Sequence, residues 1–453
     1  MSSLKLFGTY RGSTRLAKKR AAARKRRNPL KVVSIVLFCL LMIEACYFVC
    51  VYSQNAFITK WRTIYIETAM DTLNHKWLAT SIIPDDIIQE VMDQRREALE
   101  QQMNMSSSWE KDESNSLLPE IPPTPVTPVF PDQEKEPVEF DPNVSYEEEE
   151  NPVDPEEEAR RQAFFTIFHE LDQDSFNAYL DKHPEILDNG WENLYINEAG
   201  LDDDGTEIET IHGEQVLAID VPNKILLIRV KGEGYIGVLA VAKDPSLLAV
   251  HPSAHLGSSG QTAGVIAKNN NGVLSMTGSG FIDPEGVGNG GILAGYAMCD
   301  GVEYGDAHMG WGYKRLELHE DNLMYIKDAS AAVSPDTTDA VEFQPALIID
   351  GKIVVDWNCG WTGLHPRACI GQSNKYEILM LVIEGRMPTR SIGTQVLECA
   401  DILKRHGCMQ AMNLDGGTSA IMWYDGEYVT KCSNQDLPSG RSLPTAFVYH
   451  RAE

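Results

Sequence analysis

Hydrophobic residues follow three different patterns along this chain. Residues 32–52 form an almost continuous apolar run, about as long as a helix must be to cross a bilayer. Residues 53–102 and the stretch Glu157–Leu187 place apolar side chains at helical spacing. From about Gly213 the apolar positions take the shorter period of strands. The pattern predicts a transmembrane helix, two helical segments and a β-rich C-terminal domain.

Glycine-containing turns bound the strands predicted in the C-terminal region. Gly232 and Gly234 separate the first two strands, and Asp-Gly pairs at 350–351 and 425–426 are typical of two-residue hairpin turns. Without a repeat of fixed period, the sequence favours an α+β domain with a mixed sheet and flanking helices over a solenoid. The predicted β segments are Lys224–Val230, Tyr235–Val241, the hairpin Ala346–Val355, Tyr376–Ile383 and Ala420–Tyr424.

One helix is predicted within this β-rich region. Thr394 is its expected N-cap, it ends before Gly407, and Val396, Ala400 and Leu403 share one face.

A stretch of different composition lies between the two predicted helical segments. The stretch 103–156 is rich in Pro, Glu, Ser and Asp, and cannot bury enough apolar surface to offset the entropy of ordering. We therefore predict a disordered, acidic linker there. The complete division is a basic arm at 1–31, a transmembrane helix at 32–52, a juxtamembrane helical stalk at 53–102, the linker at 103–156, an accessory helical segment at 157–212 and the β-rich domain at 213–453.

Charge is distributed very unevenly. The formal net charge is −27, yet residues 1–31 contain basic side chains and no acidic one. Basic residues beside an apolar span predict a cytoplasmic N-terminus, with the span in the lipid bilayer and the domain outside the cell membrane. Glu44 is the single charge within the span. An exterior this acidic argues against a nucleic acid partner, and the sequence leaves the oligomeric state open.

The nine cysteines give no zinc-binding pattern. Three lie in the span and six in the exterior part, without paired CxxC spacing. The exterior cysteines fit either disulfides or buried apolar positions. We expect no cofactor, while a structural divalent cation on Asp283 or Glu285 stays open.

The segment Asn413–Ser419, NLDGGTS, is the strongest candidate for chemistry. We interpret it as following an apolar helical run and preceding the strand 420–424. Gly416 and Gly417 allow positive φ and close approach of a ligand. Their N–H groups and the hydroxyls of Thr418 and Ser419 could form an anion-binding cluster. Alternatively, Asp415 shapes a simple turn through its own backbone.

Arginines and glycines gather at other predicted strand ends and loops. Arg367 follows His365, Arg386 follows Glu384, and Arg441 precedes the last strand. A guanidinium binds phosphate or carboxylate through two parallel hydrogen bonds, so these arginines suit an anionic ligand.

From about Lys224 to Tyr449 the sequence resembles the phosphodiester glycosidase family. The resemblance rests on GSGFIDPEGVGNGG, EFQPALIIDGK, HPRACIG, LVIEGR, SIGTQVLECADIL, NLDGGTSAIMWYDG and GRSLPTAFV, which occur in the family's order. It implies hydrolysis of a sugar-1-phosphodiester, in a cell-envelope or extracellular glycan. Three positions depart from the family. Family members usually have Asp at the position of Glu384, often have Asn at the position of Thr277, and commonly have Gly or Ser at the position of Thr418.

The resemblance and the residue chemistry together define a predicted site. We assign catalysis to Asp415, Glu384 and Arg367, with Asp283 as a reserve carboxylate, because glycoside hydrolysis generally uses two carboxylates. Two alternatives are a non-catalytic binder of phosphorylated glycans and a metal-dependent phosphodiesterase that cuts the P–O bond. The predicted substrate-binding residues are Arg386, Arg441, Gly416, Gly417, Thr418, Ser419, Ser279, Gly280 and His365.

Overall fold

The computed structural model describes residues 29–72, 75–109, 154–202, 205–284, 287–305, 307–356 and 361–452. The chain forms two compact units, Met1–Arg62 and Thr63–Glu453.

The first unit contains one long apolar helix. Helix α1 (Pro29–Tyr52) includes 23 residues, Leu30–Tyr52, with a mean hydropathy of 2.5 and exposed apolar side chains. Its C-terminal carbonyls are capped by Arg62, whose Nη1 donates to Val51 O at 2.8 Å and Ser53 O at 3.0 Å. The length and composition of α1 are consistent with a signal sequence or a membrane anchor.

Helices of the second unit precede and flank the sheets. Helix α2 (Ala56–Met70) begins before the boundary between the units and ends beyond it. The other helices are α3 (Trp77–Thr80), α4 (Asp85–Gln102), α5 (Pro155–Ile167), α6 (Gln173–Lys182), α7 (Ala263–Asn269) and α8 (Val396–Arg405).

A nine-stranded sheet forms the centre of the second unit. Its strand order is β1-β2-β3-β4-β15-β14-β16-β12-β13. The bounds are β1 (Tyr195–Asn197), β2 (Gln215–Asp220), β3 (Ile225–Gly232), β4 (Tyr235–Ala242), β12 (Ala346–Ile349), β13 (Lys352–Ile353), β14 (Arg367–Ser373), β15 (Ile378–Ile383) and β16 (Cys408–Asn413).

Two five-stranded sheets complete the fold, in the orders β10-β9-β11-β7-β8 and β18-β17-β6-β19-β5. Their strands are β5 (Leu248–Pro252), β6 (Gly272–Thr277), β7 (Ala297–Cys299), β8 (Val302–Tyr304), β9 (Lys314–His319), β10 (Met324–Asp328), β11 (Thr337–Phe343), β17 (Met422–Tyr424), β18 (Glu427–Tyr428) and β19 (Thr445–His450).

The α+β class predicted from sequence is confirmed, but the sheets are antiparallel rather than mixed. Every pairing between the described strands is antiparallel. Short hairpin connections, such as that between β3 and β4, need no helical crossover, and antiparallel neighbours follow from them.

Both faces of the central sheet are buried. On β15, Leu379 and Leu381 pack with the core that includes α5, α6 and α8, while Met380 and Val382 pack with the core that includes the five-stranded sheets. Burial on two faces explains why the strand ILMLVI is continuously apolar instead of alternating.

The predicted Asp-Gly hairpins are confirmed. Asp350 and Gly351 have φ of 46° and 74° between β12 and β13, and Asp425 and Gly426 have φ of 41° and 103° between β17 and β18. Positive φ at both central residues is the type I′ pattern that matches strand twist.

Helix α8 differs slightly from its prediction. Its N-cap is Gln395 rather than Thr394, whose carbonyl and N–H instead bond to His365. The predicted apolar face of α8 is buried as expected. The segment directly before the NLDGGTS motif is the strand β16, not a helix, because its apolar residues complete the central sheet.

The second unit extends beyond the predicted domain limits. Strand β1 lies in the predicted accessory segment 157–212 and pairs with β2. The first residues of the predicted linker are docked: Ser107 N donates to Ile326 O at 2.9 Å, and Trp109 Nε1 to Met324 O at 2.8 Å. Residues 110–153 of that linker lie outside the described residues, so the disorder there stays a prediction.

The predicted stalk 53–102 is part of this unit from Thr63 onward. Gln102 Nε2, at the end of α4, donates to Val354 O at 2.8 Å. Near the end of α2, the buried carboxylate of Glu67 accepts from Trp361 N at 3.1 Å. These helices therefore pack against the sheets instead of acting as a free spacer.

Candidate active site

Several chain segments meet at one end of the central sheet. Arg367 begins β14 and pairs with Ile383, the last residue of β15. Strand β16 runs antiparallel to β14 on its other side and ends at Asn413. The residues that follow β15 and β16, including Arg386 and Asp415, therefore lie at the same sheet edge as Arg367.

A cavity of about 560 Å³ opens at this edge. Its walls combine the strand ends, the loops around β6 and β19, and the segment from α2 to α4. The lining includes Asp71, Thr72, His75, Arg95, Phe281, Asp283, Phe343, Trp361, His365, Arg367, Arg386, Asp415, Gly416, Gly417, Thr418, Ser419, Leu437 and Arg441.

The pKa of Asp415, which lines this cavity, is higher than that of an ordinary aspartate. Burial raises its pKa to about 6, although hydrogen bonds from Ser419 and from Gly416 N, together with the charge of Arg441, oppose the increase. The negative charge of Asp283 raises the pKa further. A carboxylate that titrates near neutral pH can exchange protons with a substrate or a water molecule.

The glycine pair makes room for neighbouring groups, and one donor of the predicted anion-binding cluster is used by the backbone. Gly417 N donates to Pro366 O at 3.2 Å, and Ser419 N to Gly416 O at 3.1 Å. One of the expected donors, Gly417 N, is therefore already bonded to the backbone. A Cβ at Gly416 would lie 2.6 Å from Pro366 O, which explains the need for glycine there.

Arg386 supplies a cation that faces the cavity. Within the described residues, its side chain has no hydrogen bond or ion pair to another protein group, and its guanidinium lies against Gly417. Removal from bulk water and the charge of Arg367 lower the pKa of Arg386, whereas Asp415 raises it. Two like charges held close together favour an anionic ligand between them.

Two residues that line this cavity have a strained backbone conformation. Arg386 and Trp361 have φ of 59° and 62°, in the left-handed region. That conformation costs of order 1–3 kcal/mol for a side chain other than glycine, and it is retained mainly where the side chain must take a special position.

Asp283 and Arg441 form a second charged wall. Arg441 Nη2 donates to Asp283 Oδ1 at 3.0 Å, Nη1 pairs with Oδ2, and Nη2 also donates to Gly288 O at 2.5 Å. The pairing holds the pKa of Asp283 below its usual value. Two carboxyl groups with pKa values moved in opposite directions are typical of sites with divided acid and base roles.

Sequence comparisons relate part of the chain to known proteins. Residues 263–450 match the phosphodiester glycosidase family. Over residues 263–450 the chain is therefore similar to that family. The SPbeta prophage-derived uncharacterized protein YomE of Bacillus subtilis is 27% identical over 180 residues, which is 37% of this chain and 27% of YomE. The resemblance stated from the motifs is confirmed, and the chain spans about a quarter of this curated relative.

Two solved structures are also similar. The zebrafish N-acetylglucosamine-1-phosphodiester alpha-N-acetylglucosaminidase catalytic domain, auto-inhibited by its pro-peptide, is 17% identical, with a TM-score of 0.41 over 50% of this chain and 82% of that one. A hypothetical protein from Synechocystis is 12% identical, with a TM-score of 0.37 over 51% of this chain and 63% of that one.

Arg367 is a buried support of the cavity wall. Only 6% of its surface is exposed, and it donates to Thr394 O at 3.1 Å from Nε and to Gly363 O at 2.8 Å from Nη2. These two bonds fix the loops on either side of the cavity, so its fork is directed largely at the backbone.

His365 lines the cavity as a neutral group. Burial and the charge of Arg367 lower its pKa to about 3, which prevents a general-acid role near neutral pH. Its Nε2 has no hydrogen bond to a described residue and lies 3.6 Å from Asp71 Oδ2. The imidazole thus presents a buried polar atom at the cavity wall.

The structure does not bring Glu384 to the cavity. Its carboxylate is fully buried and accepts from Arg390 Nε at 2.5 Å and from Lys431 N at 2.9 Å. The turn after β15 directs Arg386 inward and Glu384 to the other side. Of the two carboxylates considered beside Asp415, Asp283 therefore lines the cavity and Glu384 does not.

Ser279 and Gly280 also lie outside the lining. Ser279 N donates to Thr445 Oγ1 at 2.8 Å, and a Cβ at Gly280 would lie 3.1 Å from the Phe343 ring. Thr277, one of the family departures, is fully buried on β6. These residues fix the loop that carries Phe281 and Asp283 into the cavity.

Sequence reasoning missed the contribution of the region before the linker. Asp71, Thr72, His75 and Arg95 line the cavity, and the Arg95 guanidinium stacks 4.3 Å from the centre of the Trp361 ring. A possible signal was the cluster of polar and aromatic residues in a segment interpreted only as a stalk. Trp361 carries no motif of its own.

One possible metal-ligand group lies away from this cavity. Among the described residues, His169, Glu170 and Glu377 place ligand atoms close together, but Lys243 Nζ lies 2.5 Å and 2.9 Å from the two carboxylates. The lysine therefore supplies the balancing positive charge. The carboxylate of Asp283 is engaged by Arg441, and Glu285 lies outside the described residues.

The exterior cysteines that the structure describes are free and buried. They are Cys299, Cys369, Cys399, Cys408 and Cys432. This agrees with the apolar-position alternative for these residues, while Cys359 lies outside the described part of the chain.

Proposed function

We propose that the protein is a membrane-anchored, extracytoplasmic glycosidase that hydrolyses a sugar-1-phosphodiester. The observation that carries this proposal is Arg386, a cation without a protein partner among the described residues, beside Asp415 with a pKa of about 6. Similarity to the phosphodiester glycosidase family supports a hydrolase with a glycan substrate.

The phosphate is best placed on Arg386. A guanidinium whose donors are not used by protein groups can bind two phosphate oxygens in parallel. Arg441 is less suited because Asp283 already engages both of its terminal nitrogens. This assignment places the phosphate next to Asp415, and the sugar between Asp415 and the Asp283 wall.

The reaction then needs a base and stabilisation of positive charge. In the proposed step, water attacks C1 of the sugar while its proton passes to Asp415. The C1–O bond breaks with both electrons on the phosphate oxygen, which is a weak base and needs little protonation. The carboxylates of Asp415 and Asp283 stabilise the positive charge that develops on the sugar.

The family departure at Glu384 has little effect on this scheme. Its longer side chain pairs with Arg390 outside the cavity, so the extra methylene does not displace a carboxylate at the site. The presence of both Asp415 and Asp283 in the cavity lining supports a glycosidase over a non-catalytic glycan binder.

Isotope labelling tests the proposed bond cleavage. The purified protein is incubated in ¹⁸O-water with a panel of sugar-1-phosphate alkyl diesters. Label in the released sugar supports C–O cleavage. Label in the phosphate would establish a phosphodiesterase, and binding without release from any member would establish a glycan-phosphate binder.

We expect the activity to depend on pH through Asp415. As a base it must be ionised, so kcat/KM should rise with pH through a midpoint near 6. Asp283→Asn should move that midpoint to lower pH, because the charge of Asp283 raises the pKa of Asp415. A pH–rate profile of both proteins measures the shift. An unchanged midpoint would show that another group controls the profile.

We expect the C-terminal domain to lie outside the cell. Helix α1 follows a basic arm and is long enough to cross a bilayer, which favours a cytoplasmic N-terminus. Protease added to intact cells should trim the domain, as detected with a C-terminal epitope. Protection of the epitope until the cells are lysed would reverse this orientation.

A further inference from the structure

The apolar helix of the first unit carries aromatic side chains close to its C-terminal end. Tyr47, Phe48 and Tyr52 lie in the last two turns of α1 and are exposed. Phe57 and Trp61 follow at the start of α2, and their ring centres are 6.3 Å apart in an edge-to-face arrangement. Aromatic residues at one end of an apolar helix are typical of the boundary between lipid and water, where apolar rings and polar N–H or O–H groups are both accommodated.

Hydrogen bonds hold the start of α2 to the end of α1. Arg62 Nη1 donates to Val51 O and Ser53 O, as described above. Asn55 Oδ1 accepts from Phe57 N at 3.0 Å and so caps the first turn of α2. These bonds keep the last residues of the first unit beside the end of the apolar helix.

The second unit presents its own group of large exposed side chains. Tyr65, Trp77 and Ile82 are 39%, 58% and 48% exposed, and together they are called the aromatic surface below. The Tyr65 hydroxyl donates to Leu78 O at 2.7 Å, which places the Tyr65 side chain beside α3. Among the described tryptophans, Trp77 and Trp61 are the two most exposed.

A small core beneath the aromatic surface fixes the direction of its side chains. Ile66 of α2, Ala79 of α3 and Ile88 of α4 pack together, and all three are buried. Successive residues of a helix point to different sides, so Tyr65, which precedes Ile66, points away from this core. The exposure of Tyr65 and Trp77 therefore results from the way in which three helices pack.

The length of the connection keeps the aromatic surface within reach of the bilayer. Helix α2 begins four residues after Tyr52, and Tyr65 lies nine residues further along the same helix. With about 1.5 Å per helical residue and at most about 3.6 Å per residue elsewhere, Tyr65 lies within about 30 Å of the end of α1, whatever direction α2 takes. The headgroup layer begins where a membrane-spanning helix leaves the hydrocarbon core.

We propose that the aromatic surface binds the headgroup layer of the bilayer that α1 spans. The inference rests on the membrane anchoring in the proposed function and is independent of the reaction. Trp and Tyr side chains suit this layer, and the exposed Lys76 beside Trp77 suits its anionic headgroups. Because His75 lines the cavity and lies two residues before Trp77, this binding holds the cavity close to the membrane.

Tryptophan fluorescence of the full-length protein tests the proposal. All eight tryptophans follow residue 60, so neither the basic arm nor α1 contributes to the signal. The protein is reconstituted into vesicles of phosphatidylcholine and phosphatidylglycerol with bromine on the acyl chains near the headgroup, which quenches tryptophans that touch lipid. We expect Trp61 and Trp77 to be quenched, and Trp77→Phe to lower the total quenching by about half because one of two rings at the interface is removed.

Trp311→Phe is the matched control. Trp311 is 45% exposed, and its ring lies 5.4 Å from the guanidinium of Arg96, about 16 Å along α4 from Asp85. This variant should keep the quenching of the original protein. Equal quenching in Trp77→Phe and the original protein would show that Trp77 does not touch lipid, and would overturn the proposal.

Flotation of the same vesicles separates the aromatic surface from the anchor. Protein that floats with the vesicles while Trp77 stays unquenched would retain the anchor and reject the surface. Protein that does not float would show that α1 is no anchor, and both would be rejected. Neither measurement needs substrate turnover, so a failure of the glycosidase assignment does not affect them.

A second copy of the chain is the other occupant to be tested. Sedimentation in detergent measures the oligomeric state of the original protein and of Trp77→Ala. An unchanged state in the two proteins, together with lipid quenching of Trp77, is the expected result. A dimer that dissociates in Trp77→Ala would assign the aromatic surface to the second copy and overturn lipid binding.

Discussion

Asp415→Asn should reduce kcat by about 100- to 10,000-fold, the range that a positioned general base contributes. The amide keeps the shape of the side chain, and its oxygen can accept the bonds from Ser419 and from Gly416 N. It cannot take a proton from water. Steady-state kinetics on a verified diester, with enzyme concentration corrected for the folded fraction, measures the loss.

The same variant should be at least as stable as the original protein. The pKa of Asp415 in the folded protein is about 6, above its ordinary value of 3.8. The neutral form is therefore preferred on folding, and its stabilising contribution is complete below pH 3.8 and lost as the pH rises through 6. At pH 7 an uncharged Asn avoids the cost of burying the charge.

Thermal unfolding separates the two roles considered for Asp415. A large loss of kcat with an equal or higher Tm is the expected result. A lower Tm with near-normal kcat per folded molecule would show that Asp415 only shapes its turn. Asp401→Asn, at an exposed position on α8, is the control for the same chemical change and should alter neither quantity.

Arg386→Met should lower kcat/KM by about 30- to 1,000-fold, mainly through KM. The expected size is that of removing the charged partner of a bound phosphate. The folded protein should tolerate the change, because the Arg386 side chain has no ion pair within the described residues. Arg386→Lys should give an intermediate loss, since it keeps the charge without the fork. Initial rates over a range of diester concentrations measure both.

Arg367→Lys provides the contrast to Arg386. A lysine cannot reproduce the two bonds to Thr394 O and Gly363 O, so its main effect should be a lower Tm. If Arg386→Met were as destabilising and left KM unchanged, Arg386 would be a structural residue and the phosphate assignment would fail.

The local sequence was sufficient to predict the two Asp-Gly hairpins and the family resemblance. Asp350-Gly351 and Asp425-Gly426 form tight turns because the preference for positive φ at both residues acts within the turn itself. The motifs that carry the family resemblance are likewise short and ordered. They placed Asp415, Arg386, Arg441 and His365 among the candidates, and all four line the cavity.

The local sequence did not predict which way individual side chains point. Glu384 and Arg386 are two residues apart, yet one pairs with Arg390 and the other faces Asp415. The choice depends on the turn after β15 and on which partners the rest of the fold supplies. The hydrogen-bond partners in the glycine motif were equally unpredictable from the motif alone. Gly417 N donates to Pro366 O, which comes from a different part of the chain.

The sequence by itself determined the apolar helix, the α+β class, the turns and most charged residues of the cavity. Only the tertiary structure placed the segment before the linker in the site, through contacts such as Glu67 with Thr362, 295 positions apart. Periodicity reports which face of a helix is apolar, but it does not identify what that face packs against. Asp71 and Arg95 became site residues because long-range hydrogen bonds fix their helices beside Trp361 and His365.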